Sequence, residues 1–165
     1  MPRHKETRHM PYTPTQLYDL VADVGSYEEF LPWVVATRVR SQTEEELVAD
    51  LMVGFRMVRE RFTSRVKLDR PDRIQVEYLD GPLRYLRNDW SFEPAEGGGT
   101  TVCFFVDFEF KQKLFERLAG AFFHEAFRRM VAAFEKRAAE IYGPPVESPQ
   151  PSGSGSSNSS AQVTA

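Results

Sequence analysis

The chain has one cysteine, Cys103, and three histidines among its 165 residues. A single thiol can neither close an internal disulfide nor build a multi-cysteine metal site, and it sits easily in a reducing compartment. Within TTVCFFVDFEF it reads as a small strand residue. His4, His9 and His124 are widely spaced and form no HExxH or other paired-ligand pattern, so no metal site is expected. No window approaches the roughly 18 apolar residues of a membrane span, and the basic N-terminus MPRHKETRHM lacks an apolar signal core. Neither a signal peptide nor a transmembrane helix is expected. Positive charge is short as well. A net charge of −3 and a pI near 5.7 give no overall field to gather nucleic acid or anionic lipid, which leaves only local patches and argues against DNA.

Catalytic signatures are equally sparse. The serines around Gly153 and Gly155 lie in low-complexity text and form no nucleophile elbow. The run EGGGT joins two strand patterns and reads as a hairpin turn, not a phosphate cradle.

What the chain has in excess is phenylalanine. Thirteen Phe, with aromatics at 13% of residues, supply a packed core with apolar volume left over to line a cavity. From Gly143 the text turns to Pro, Ser and Gly with one charge, Glu147, and residues 143–165 are expected to be a disordered tail. Residues 1–142 then form one domain, folded from about Arg3.

After one N-terminal strand, Thr13, Pro14 and Gln16 make a capping box that opens a helix QLYDLVADV. Ser26 is placed to cap a second short helix, YEEFL, which Pro32 must end. From Val34 to Phe110 the period changes to two. Leu47, Ala49, Leu51, Val53 and Phe55 share one face of a strand, and so do Val58, Phe62, Val66 and Leu68 of the next. Ile74, Val76 and Tyr78, then Leu86, Trp90 and Phe92, then Val102, Phe104, Val106, Phe108 and Phe110 continue the series. The turns DRPDR, DGP and EGGG separate them, so the sheet should be an antiparallel meander. Residues 113–142 predict a helix of about 45 Å. Its apolar stripe runs through Phe115, Ala119, Phe122, Ala126, Met130 and Phe134, broadened by Leu118, Phe127 and Val131. Such a helix needs a large apolar partner, and the concave face of the sheet is the one available. The order describes an α+β helix-grip fold: two short helices after the first strand, and a curved sheet of about six or seven strands around a long C-terminal helix. A sheet curled in this way often leaves a cavity beneath the helix.

Three polar residues fall in the apolar phase of their strands. Glu60 shares a face with Val58 and Phe62, Ser64 follows Phe62 by two, and Asn88 lies between Leu86 and Trp90. An inward carboxylate is costly unless paired, hydrogen-bonded or protonated. Glu60 is therefore either partnered by a nearby Arg or strand end, or, with Asn88, orients a ligand's polar head. Arg59, Arg61, Arg65 and Lys67 alternate on the opposite face and keep it wet; a docking surface for acidic lipid heads or RNA is the alternative. No aromatic ladder is interleaved with these charges, which counts against RNA.

Three motifs, YEEFLPWV, VGFRMVRERFTSRV and GPLRYLRNDWSF, followed by a long amphipathic helix with FEKRA, resemble the START-type polyketide-cyclase/dehydrase superfamily. The closest resemblance is to its coenzyme-Q-binding branch, described in bacteria also as the ribosome-association toxin RatA family. It covers about Arg3 to Tyr142. The matching positions are Tyr27, Phe30, Leu31, Pro32 and Trp33; Val53, Gly54, Phe55 and Glu60; and Gly81, Pro82, Leu86, Asn88, Trp90 and Phe92. Val34 stands where the family commonly carries Cys.

The resemblance implies a START-like domain that holds a long-tailed quinone, ubiquinone or a similar prenyl lipid, without chemistry or a cofactor of its own, in support of respiratory electron transport. Burying an isoprenoid tail is worth about 25 cal/mol per Å² of apolar area. Phe62, Trp90, Phe104, Phe108, Phe122 and Met130 are expected to hold the tail, with Phe55 and Leu86 beside them. Asn88, Glu60 and Ser64 are expected to face the quinone oxygens, Glu60 only if it donates a proton or acts through water. Phe30, Leu31, Pro32 and Trp33 should stand at the cavity mouth. Such a protein is expected in the cytoplasm, in peripheral contact with the inner membrane. Two other functions stay open: a regulator that contacts the large ribosomal subunit, and a cyclase or hydratase in the same cavity with Glu60 as its acid or base.

Overall fold

The computed structural model describes residues 3–55, 58–113, 116–117 and 123–144. Strand β1 (Arg3–Met10) leads into helix α1 (Pro14–Ala22) and a 3-10 helix (Val24–Glu29). Strands β2 (Val34–Gln42), β3 (Glu46–Phe55), β4 (Val58–Asp69), β5 (Arg73–Asp80), β6 (Leu83–Pro94) and β7 (Thr100–Phe110) follow, and helix α2 (Phe123–Tyr142) comes last. The seven strands make one antiparallel sheet in the order β1-β7-β6-β5-β4-β3-β2, a meander closed on one edge by the N-terminal strand. This is the helix-grip architecture expected, with the curved sheet gripping α2.

Local chemistry explains the helix ends. Thr13 Oγ1 accepts from Gln16 N–H at 3.1 Å while Gln16 Oε1 accepts from Thr13 N–H at 3.0 Å, the reciprocal capping box. The next helix differs from expectation. It is 3-10, begins at Val24, and encloses Ser26 instead of being capped by it, because the Ser26 hydroxyl donates to the Asp23 carboxylate at 2.7 Å. At the far end, Gly143 takes a positive φ of 85° and returns its N–H to Ala139 O, ending α2, and the Tyr12 hydroxyl donates to its carbonyl at 3.1 Å. Helical geometry is also described at 113 and at 116–117. Phe115, Leu118, Ala119 and Phe122 of the predicted stripe lie outside the described residues, as does the tail from 145 onward.

The core follows the period-two pattern. Leu47, Ala49, Val66, Ile74, Trp90, Phe92, Val102, Phe104 and Val106 are buried on the face that carries the helices, where Tyr18 of α1 packs on Phe92 and Phe134 of α2 on Trp90. The centre of the α2 stripe is Val131, Phe134 and Ala138, with Phe127 and Met130 half-buried on its flank. Two of the three histidines, 120 residues apart, also meet here. His4 is 5% exposed, stacks on Phe127, and lies with its Nδ1 2.8 Å from Nδ1 of His124. One of those two nitrogens must carry the proton. Glu6 Oε2 lies 3.4 Å from His4 Nε2, so the network fits His4 donating to Glu6 and accepting from His124.

On the outer face Asp50 and Thr63 are buried opposite one another, joined by a Thr63 hydroxyl bond of 2.6 Å, and Arg40 Nε donates to Asp50 at 2.7 Å. Burial opposes the carboxylate charge, but the bonds from Thr63 and Arg40 and the charges of Arg40 and Arg61 outweigh it and hold its pKa below the ordinary value. Because the folded value is depressed, the ionised group stabilises the fold above a pH of about 4 and that contribution is lost as pH falls through the folded pKa. Asp50→Asn should therefore lower the urea midpoint at pH 7, with the gap to the parent protein narrowing at pH 3.

Candidate ligand-binding site

The face of the sheet that grips α2 is covered unevenly. At one end it is closed by aromatic packing. The Phe134 ring lies 5.2 Å from Trp90, 5.3 Å from Phe30 and 5.4 Å from Tyr27; Trp90 lies 4.7 Å from Phe104, and Phe127 lies against Phe104 and Phe108. Trp90, Phe104 and Phe108, expected to hold a ligand's tail, are thus in the packed core. Toward the β3–β4 and β5–β6 turns the same face is only half-covered. There Leu51, Val53, Phe62, Val76, Tyr78 and Leu86 remain partly exposed although they alternate in phase with fully buried neighbours. Phe55 ends β3 at this end, paired with Val58.

The three inward polar residues border that open half, but not equally. Ser64 is buried opposite Tyr78, and its hydroxyl has no hydrogen-bond partner among the described residues. Asn88 lies opposite Val76 and donates its amide N–H to the Phe105 carbonyl at 2.9 Å, which leaves the amide oxygen for other use. Glu60 is opposite Val53, four residues along β4 from Ser64, half-buried and with no ion pair or hydrogen bond among the described residues. Glu60 thus lies nearer the β3–β4 turn than Ser64, and Asn88 lies two strands away from both, on β6.

Sequence reasoning missed Tyr78. Its hydroxyl accepts the Leu83 N–H at 2.9 Å and keeps its own proton free to donate. Burial, aided by the carboxylates of Asp80 and Glu60, raises its pKa over the opposing Leu83 bond, so the phenol is a neutral donor. The signal in the sequence was faint: an aromatic residue three positions before the glycine of DGP. Gly81 is required there, since its φ is 149° and a Cβ would come within 2.8 Å of the Tyr78 oxygen and 2.9 Å of the Arg61 carbonyl.

The residues of SYEEFLPWVV divide between core and rim. Tyr27 donates its hydroxyl to the Val21 carbonyl and burial raises its pKa; Phe30 packs on Phe134 beneath the Arg137 guanidinium; Leu31 is buried. Pro32 and Trp33 lie at the rim. Trp33 is the one non-glycine residue with positive φ among the described residues, at 67°, and its carbonyl accepts Gly54 N–H at 2.8 Å. Its indole has no ring contact among the described residues.

Residues 10–135 match the family model described as polyketide cyclase / dehydrase and lipid transport. The chain belongs to this family. Among its relatives, the ribosome association toxin RatA of Rickettsia prowazekii is 36% identical over 83% of this chain and 96% of its own. The mitochondrial coenzyme Q-binding protein COQ10 homolog B of Xenopus laevis is 38% identical over 85% of this chain, which spans about three fifths, 59%, of that relative. An 18 kDa protein from Caulobacter crescentus, solved in solution, is 38% identical with a TM-score of 0.70, covering 87% of this chain and 100% of that one. The Zhui aromatase/cyclase from Streptomyces sp. R1128 shares the fold at 16% identity and a TM-score of 0.75, covering 84% of this chain and 94% of that one.

For a polyketide cyclase/lipid-transport domain, the rim residue of interest is Trp33. A left-handed non-glycine backbone costs about 1–3 kcal/mol and persists only where its surroundings impose it. Replacing Trp33 removes whatever held it, and glycine then relieves strain that alanine retains. Trp33→Gly is expected to be more stable than Trp33→Ala by about 1 kcal/mol, the reverse of the usual order. Equal urea midpoints, or a more stable alanine variant, would contradict this.

Proposed function

We propose that this chain binds a prenyl quinone of the ubiquinone type without transforming it, and serves as its carrier or chaperone in respiratory electron transport. The observation that carries the proposal is the half-covered apolar face beside two hydroxyl donors. Leu51, Val53, Phe62, Val76 and Leu86 offer a surface for an isoprenoid tail, and Tyr78 and Ser64 offer protons to a quinone carbonyl. A neutral carbonyl needs a donor, which a carboxylate is not, so the head-group role moves from Glu60 to Tyr78 and Ser64, with Asn88 alongside. Phe30 and Leu31 then anchor the mouth from within, and Pro32 and Trp33 form its outer lip. Relatives named for coenzyme Q binding in frog and fly, each 38% identical, support this reading, as does the lipid-transport family. Among the described residues no helix is long and apolar enough to cross a membrane, so loading would take place at a membrane surface.

The RatA relatives support a second reading, a translation regulator that contacts ribosomes. The outer face of β4 gives it partial support. Arg65 pairs with Glu46 and Glu77, and Lys67 with Glu77, while Arg59 and Arg61 have no ion pair among the described residues, Arg61 acting on Asp50 through its charge. The cyclase reading rests on structural neighbours at low identity and on Glu60 alone.

Organic extracts of protein purified from its own host should contain a prenyl quinone on mass spectrometry. Trp33→Ala and Tyr78→Phe should retain about tenfold less per folded molecule, as loss of a lid or a buried hydrogen bond implies. Absence of any prenyl lipid, with a protein-dependent shift in ribosome sedimentation profiles, would replace this reading with the second.

A further inference from the structure

The β5–β6 hairpin is built to stay open at its turn. Its ladder runs from Arg73↔Ser91 to Glu77↔Arg87 and stops there, although β5 continues to Asp80 and β6 begins at Leu83. Each strand keeps bonding to its outer neighbour, and each is bulged. Leu79 is the extra residue where Thr63 pairs with Asp80 and Ser64 with Tyr78; Arg84 is the extra residue where Leu83 pairs with Phe110 and Tyr85 with Glu109. A bulge bends its strand and increases local twist, so bulges on the two outer sides turn β5 and β6 away from each other. The Tyr78 hydroxyl accepts the Leu83 N–H at the open end of the hairpin.

The resulting slot has a volume of about 360 Å³. Val76, Tyr78, Leu86 and Asn88 line its inner side and belong to the half-covered face beneath α2; Arg84 and Arg87 line its outer side. The carboxylates at the rim are already paired: Glu77 with Arg65 and Lys67, and Asp89 with Arg73. Arg84 and Arg87 are exposed, and neither has an ion pair or hydrogen bond among the described residues. Two guanidiniums without an ion pair among the described residues, at a slot whose lining is polar on the outside and includes Val76 and Leu86, suit a ligand with an anionic head and one chain, since guanidinium grips carboxylate and phosphate in matching forks.

We propose that this slot is a binding site for the carboxylate or phosphate head of a single-chain amphiphile, whose alkyl chain passes between Val76 and Leu86 onto the half-covered face. The assignment stands on the two bulges and the unpaired arginines and does not rest on the quinone reading, because a neutral quinone head has no need of two guanidiniums.

The test is a titration of the 15N-labelled full chain, followed by NMR, with laurate, dodecyl phosphate, dodecanol and inorganic phosphate, each below any micelle-forming concentration. Laurate or dodecyl phosphate should shift the amides of 76–78 and 84–88, and whichever binds more tightly identifies the head. Dodecanol and inorganic phosphate should each bind about tenfold more weakly or worse, the worth of one charge-assisted bond or of the chain. Arg84→Gln with Arg87→Gln should weaken the anionic amphiphile about tenfold, leave dodecanol binding and melting temperature unchanged, and leave recovery of quinone from cells as in the parent. Leu86→Trp, which fills the slot, should weaken the anionic amphiphile without touching the arginines. Equal binding of dodecanol and laurate, shifts confined to other residues, or unchanged affinity in the double-arginine variant overturns the proposal.

Discussion

The ring of Phe134 is the contact on which the other parts of the molecule depend. It touches Trp90 of the sheet and both Tyr27 and Phe30 of the segment after α1, all between 5.2 and 5.4 Å. Each aromatic pair of this kind is worth about 0.5–1.5 kcal/mol beyond the area it buries. One side chain therefore fixes the helix to the sheet and fixes the connection into β2 to both. The left-handed turn at Trp33 is held in place because Phe30 and Leu31, just before it, are anchored.

That cluster also decides where a ligand can go. Trp90, Phe104, Phe127 and Phe134 fill one part of the gripped face with side chains, and among the described residues Leu51, Val53, Phe62, Val76 and Leu86 stay half-covered toward the β3–β4 and β5–β6 turns. Along β5, Ile74 is buried and Tyr78 half-buried; along β6, Trp90 and Leu83 are buried and Leu86, between them, is half-buried.

Much of this was legible in the sequence, for a local reason. Strand alternation, the Thr13 capping box and the α2 stripe depend on periods and offsets within a few residues, and the inward phase of Ser64, Asn88 and Glu60 followed from the same count. What depended on pairing across the sheet was not legible. Which end of the gripped face is filled is decided by rings from four elements meeting, and Phe104 looks no different in text from Phe62. The bulges at Leu79 and Arg84 are offsets between neighbouring strands and leave no mark in either strand alone. Tyr78 read as one more apolar residue because the Leu83 amide that binds its hydroxyl comes from the far side of the turn and belongs to no motif. His4 and His124 were too far apart in the chain for spacing to join them, and Ser26 offered a cap that Asp23 took instead.

The pairing of β1 with β7 has a consequence for assembly. Arg3 reaches Asp107 across 104 residues of chain, and the buried His4 reaches His124 across 120. When β1 leaves the ribosome β7, its partner strand among the described residues, has yet to be made, and the successive hairpins from β2 to β7 can zip up one by one before it joins. Strand β1 is therefore among the last of the seven to be placed, and it waits as an unpaired edge of alternating charge, KETRH, whose lysine, glutamate and arginine discourage it from pairing with another chain in the interval.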